Sequence, residues 1–116
     1  MRRVWFKKEM KEAILAGKKN RTTRYHQIPL GQVQAVCGSR FNTEVFAKLE
    51  ILTNYGTTLG EVIRRFYRQE GFETEEEMRQ WGQKVGLLKG VGYDDDHVYT
   101  HDFVVIPKSS EKEKVG

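Results

Sequence analysis

Leu59, Val62, Ile63, Phe66 and Tyr67 stand at the i, i+3, i+4, i+7, i+8 spacing of one helix face, in a chain whose other patterns mostly have a period of two. A chain carrying both periods must pack an apolar helix stripe against a sheet, which points to an α+β domain. Thr58 followed by Glu61 forms the capping box that starts this helix. The next position on the stripe, i+11, is Glu70, a carboxylate that continues an apolar face. Gly71 ends the helix, and Thr74 with Glu77 caps another that carries Met78, Trp81 and Val85 inward.

Upstream, residues 3–6 read as a short opening strand and residues 8–16 as a helix with Met10, Ala13, Ile14 and Gly17 on one face. Gly17 suits the left-handed position just past a helix end. β-Branched threonines and Tyr25 favour extended chain from Arg21 to His26, placing Thr22, Arg24 and His26 on one side and Thr23 and Tyr25 on the other. The IPLG segment turns, and strands follow at residues 33–38 and 45–53; in the second, Val45, Ala47, Leu49 and Ile51 share a face. Residues 54–57 read as a break, and residues 98–106 as the last strand. Short strands at irregular spacing, with two helices inserted together before the last, favour a small partly open β-barrel over a doubly wound sheet. The expected domain covers residues 1–107. The polar tail at 108–116 cannot offset its ordering entropy and is expected to be disordered.

A length of 116 residues suits one domain, and with Cys37 as its single cysteine the chain cannot form an internal disulfide. That fits a reducing cytosol. The longest apolar runs, such as Phe103 to Ile106, fall far short of the roughly 20 residues of a membrane span. MRRVWFKKEM lacks the apolar stretch of a secretory signal. The expectation is a soluble cytoplasmic protein with no membrane association and no obligate protein partner. Net charge is +4, but residues 1–24 carry +7 and the remainder −3. Such a field concentrates phosphate-bearing ligands, and Trp5, Phe6, Tyr25 and Tyr55 can stack bases beside it.

Asp94, Asp95, Asp96, His97, His101 and Asp102 form an acidic, histidine-bearing cluster. Same-side strand residues four apart are about 13 Å from each other, too far for His97 and His101 to share one ion. The cluster reads as solvated loop, and neither a metal site nor a cofactor is expected.

The stretch ILAGKKNRTTR resembles the signature of the ASCH family, in which a helix is followed by a glycine, a lysine, a threonine and an arginine at the spacing of Gly17, Lys19, Thr22 and Arg24. The QEGF sequence of residues 69–72 and the TEEE helix start fit as well. Asn20 stands where the family often has threonine, and Gln32 follows Gly31 where it often has an aspartate that can orient the arginine. The resemblance implies a PUA-like barrel with a cleft that binds RNA or a modified nucleoside, with Lys18, Arg21, Arg24 and Tyr25 around the ligand. Some family members of similar length remove the acetyl group from acetylcytidine. By that resemblance Lys19 is the proton acceptor, Thr22 the nucleophile and Glu70 the proton donor. Binder is the first reading and amidohydrolase the alternative; the two share one cleft and differ in turnover.

Overall fold

The computed structural model describes residues 1–89 and 92–107, so the tail expectation at 108–116 lies outside the described residues. The elements run β1 (Arg3–Trp5), α1 (Lys8–Leu15), β2 (Arg21–Arg24), β3 (Gly31–Ser39), β4 (Asn42–Ile51), β5 (Tyr55–Thr58), α2 (Leu59–Phe66), α3 (Glu75–Lys84), a 3-10 turn at Tyr93–Asp95, and β6 (His97–Val105). Six strands form one sheet in the order β1-β3-β4-β6-β2, with β5 also pairing to β6. β1 lies parallel to β3, and the other pairs are antiparallel. The order ends on β1 and β2, which do not pair with each other. The barrel is therefore open along one seam.

β6 organises the sheet. Its C-terminal half pairs with the end of β4, and Thr100 in its N-terminal half faces both Tyr55 of β5 and Thr23 of β2. The segment after Asn54, read from sequence as a break, is thus a strand: Asn54 interrupts β4, but Tyr55–Thr58 finds a partner edge on β6 that no local pattern announces. A second correction concerns β4. The register slips between the Ala35–Ala47 and Val36–Val45 pairs, leaving Phe46 as the extra residue of a bulge. Beyond it the strand's faces exchange, so Phe46 is buried and Val45 exposed instead of Val45 sharing a face with Leu49 and Ile51.

The core fills the concave side of the sheet. Phe6, Phe46 and Phe103 pack edge to face at 6.2 Å, with Met10 and Ile14 of α1 and Leu49 and Ile51 of β4 around them. α2 buries Leu59, Val62 and Ile63 against Val98 and Leu88, as its stripe requires. Thr58 and Thr74 cap α2 and α3 through their hydroxyls. Among the described residues no helix is long and apolar enough to cross a membrane.

His101 is completely buried and holds β6 to the chain leaving β2. Its Nδ1 lies 3.1 Å from the Thr22 carbonyl, and its Nε2 accepts from the Ile28 N–H at 2.9 Å. This arrangement requires the neutral ring with its proton on Nδ1. Burial lowers its pKa, and the Thr22 contact only partly offsets that. The unfolded chain therefore binds a proton that the folded protein resists, so this contribution to stability is complete above the ordinary histidine value of about 6.5 and declines as pH falls below it. Thermal unfolding followed from pH 8 to pH 5 should show a falling Tm, and His101→Gln should flatten that dependence between pH 6.5 and pH 5.

Candidate functional site

Three stretches of chain meet at the open seam. α1 ends at Gly17, whose φ of +77° lets the N–H groups of Lys18 and Lys19 both turn back to the Ala13 carbonyl. Lys19 is thereby aimed inward at the start of β2. α2 loses regular form after Phe66, earlier than the apolar stripe predicts, yet the Glu70 N–H still reaches the Phe66 carbonyl at 3.0 Å. Asn20 and Arg21 N–H groups both bond the Gln69 carbonyl, at 2.9 and 3.1 Å, and dock this turn on β2. Gly71, at φ +106°, holds a backbone conformation that favours glycine, and a Cβ there would stand a tight 3.3 Å from that of Lys19.

These constraints place the Lys19 ammonium 2.9 Å from Glu70 Oε1 and 3.1 Å from the Glu70 carbonyl. Only 5% and 6% of the two side chains remain exposed. Burial pulls the Lys19 pKa below its ordinary value, and the carboxylate offsets part of the fall. The other carboxylate oxygen accepts from the Thr23 hydroxyl at 2.5 Å. The hydroxyl that bonds Glu70 is thus that of Thr23, which strand alternation had set apart from the motif threonine. Thr22 is buried on the opposite face of β2, where its Oγ1 accepts from Arg24 Nε at 3.0 Å.

Arg24 lies over the Phe6 ring, its guanidinium carbon 4.9 Å from the centroid, and burial lowers its pKa. Stacking on Phe6 and the Thr22 hydroxyl orient it here, in place of the aspartate absent after Gly31. Arg21 points elsewhere. It donates to Thr100 at 2.9 Å and to Tyr55 at 3.1 Å, pairs with Asp102 at 2.8 Å and stacks on Phe66 at 3.9 Å, which makes it a clamp between β2, β5, β6 and α2. Lys18 is exposed, and neither it nor Arg21 borders the cavity.

That cavity, about 480 Å³, opens along the seam. Thr22, Thr23, Arg24 and Tyr25 line one wall with Lys19 and Glu70, while Trp5, Phe6, Phe72 and Trp81 give it aromatic sides. The Tyr25 hydroxyl donates to Asp96 at 2.9 Å; burial first, then that carboxylate, raises its pKa. Phe72 and Trp81 were not singled out from sequence as lining residues. Nothing in a helical stripe separates a ring facing the core from one facing a cleft beside it. Among the described residues no group of three or more acidic, histidine or cysteine side chains is placed to hold a metal. Asp94 instead binds Arg79 at 2.8 Å, and Asp102 binds Arg21.

No family model matches the sequence, and comparison with curated proteins gives no match. Solved structures do match. An ASCH-domain protein of Zymomonas mobilis, a tyrosine-to-phenylalanine variant, superposes with a TM-score of 0.60 at 16% identity over 96% of this chain and 78% of its own. A DUF984 protein of Enterococcus faecalis gives 0.58 at 18% identity over 91% and 72%, and an ASCH domain of Lactobacillus crispatus gives 0.54 at 16% over 82% and 69%. The chain has the fold of these ASCH-domain structures, a small, partly open α+β barrel.

The Lys19–Glu70 pair supplies a direct test of the site's electrostatics. Glu70→Gln leaves a buried ammonium without its counter-charge, and unfolding free energy should drop by about 3 kcal/mol. Free lysine titrates near 10.4, so between pH 7 and pH 10 the unfolded chain holds a proton that the variant's Lys19 sheds. The deficit against the parent should therefore narrow as pH rises, which urea unfolding at pH 7 and pH 10 will measure.

Proposed function

We propose that the protein binds a modified pyrimidine nucleoside, free or as one base of a single-stranded RNA, in the seam cleft. One observation carries this reading: an array of donors and acceptors, made by buried Lys19, Glu70 and Thr22 and half-buried Thr23 and Arg24, lines a cavity with aromatic walls. A base is flat, apolar on its faces and polar on its edges, so it needs rings to stack on and fixed polar groups at its rim. The volume lies within the range of about 300 to 1,000 Å³ usual for small-molecule sites. Both tryptophans of the chain, Trp5 and Trp81, border the cavity and report its occupancy. Adding cytidine or N4-acetylcytidine should change tryptophan fluorescence in a saturable way, with the acetylated form binding more tightly. No spectral change with either would overturn the reading.

A second reading, hydrolysis of the acyl group, is favoured by the 2.9 Å Lys19–Glu70 contact itself. One proton transfer across it leaves a neutral amine and a carboxylic acid, the base and acid that amide hydrolysis requires. Burial disfavours the ammonium form of Lys19. The Thr22 hydroxyl would attack the acyl carbon while its proton passes to Lys19. The carbon–nitrogen bond would then break as Glu70 protonates the departing exocyclic amine, and water would hydrolyse the threonine ester to free the acid. In the resting state, however, the charged pair holds Lys19 as an ammonium, which binds better than it deprotonates. Binding is for that reason the first reading.

Thr22→Ser and Thr22→Val separate the two. Under hydrolysis the serine variant should keep measurable deacetylation, followed by ultraviolet absorbance, and the valine variant should lose it, because no acyl-oxygen intermediate can form. Under binding alone neither the parent nor the variants turn over, and the valine variant should lose about 0.5 to 1.5 kcal/mol of affinity, one hydrogen bond.

A further inference from the structure

The hairpin joining β3 to β4 projects an aromatic ring for which the fold has no use. Ser39 pairs with Asn42, leaving Arg40 and Phe41 as a two-residue tip, and Phe41 is 94% exposed. The turn around it is tightly held: Asn42 N–H donates to the Ser39 hydroxyl at 3.1 Å, and the Thr43 hydroxyl donates to the Ser39 carbonyl at 2.9 Å. Gly38 at φ +99° completes it, since a Cβ there would lie 2.3 Å from the Asn42 carbonyl oxygen. The turn thus fixes the backbone that carries the ring, with the Arg40 guanidinium 5.9 Å from the ring centroid.

The tip adjoins the cleft. Gly38 borders the cavity, and three residues of chain place Phe41 at most about 10 Å beyond it. β1 runs parallel to β3 with Trp5 beside Val36, so Lys7 and Lys8 emerge at this same end. Lys7 also borders the cavity. Lys7 and Arg40 have no ion-pair partner among the described residues, while Lys8 makes no direct ion pair but feels Glu44, the carboxylate that holds Lys11 at 2.9 Å. Ser39 and Asn42 flank the ring, so it stands alone rather than within an apolar patch of the kind that docks a protein. An exposed ring beside Lys7, Lys8 and Arg40 has the chemistry of a stacking platform for single-stranded nucleic acid.

We infer that the Arg40–Phe41 tip is a second contact for single-stranded RNA: when one base occupies the cleft, a neighbouring base stacks on Phe41 and the intervening phosphates pass Lys7, Lys8 and Arg40. This rests on the nucleoside reading of the cleft and deepens it, making the ligand a strand rather than a free nucleoside. The test compares free N4-acetylcytidine with a short oligoribonucleotide carrying that base at its centre, the first by tryptophan fluorescence and the second by anisotropy. Phe41→Ala should weaken the oligonucleotide at least about fivefold while leaving the nucleoside unchanged, and Phe41→Trp should restore the loss. Lys8→Gln combined with Arg40→Gln should reduce the slope of log affinity against log salt by about 1.4, for two phosphate contacts on a single strand. An oligonucleotide that binds Phe41→Ala as tightly as the parent, or no more tightly than the free nucleoside, would overturn the inference and leave the cleft reading standing. A parent that binds neither ligand overturns both.

Discussion

At the junction of α1, β2 and the turn after α2, two opposite charges are held 2.9 Å apart with almost no exposure to water. Burying a lone ammonium or a lone carboxylate costs several kcal/mol, so neither Lys19 nor Glu70 tolerates its position without the other. Their contact is possible only because the chain reverses after α1, enters β2 and is met there by the turn that leaves α2. Backbone bonds from Asn20 and Arg21 to Gln69 join those pieces independently of the charges. The pair therefore completes a junction that main-chain geometry has already assembled. Arg21 reinforces it by stacking on Phe66 of the same helix.

The cleft exists because the barrel does not close. β1 and β2 end the strand order without pairing, and the rim of β2 that a neighbouring strand would otherwise cover faces a cavity instead. An uncovered strand edge is ordinarily a liability, and here aromatic side chains and the turns after α2 and α3 shield it. The same opening explains how Thr22 and Thr23, which project to opposite faces of the strand, both border one space. Sequence-based alternation assigned them to separate surfaces, and that assignment holds for the interior of a sheet but not for its rim.

Much of the site was nevertheless legible. The helix stripe alone turns Glu70 inward, because burial of an amphipathic face constrains every residue in phase with it, even past the last regular turn. The spacing of Gly17, Lys19, Thr22 and Arg24 pointed to one cleft, which three of the four border through their side chains while Gly17 turns the chain towards it. Arg21 and Lys18 were grouped with them by proximity in sequence, and neither borders the cavity. Arg21 is committed to Asp102 and Thr100, while Lys18, in the bend after α1, stays in solvent.

By itself the sequence determined the properties that repeat along the chain: three capped or glycine-ended helices, the period-two strands, the α+β class and the concentration of positive charge near the start. These follow from local spacing, because a helix or strand exposes its faces at fixed intervals. Only the tertiary structure decided which strand edges stayed open, where the Phe46 bulge exchanged inside for outside, that residues 55–58 joined the sheet, and that Thr23 rather than Thr22 answers Glu70. Each of these depends on pairing between segments far apart in sequence, and the energy of such pairing resides in neither partner alone.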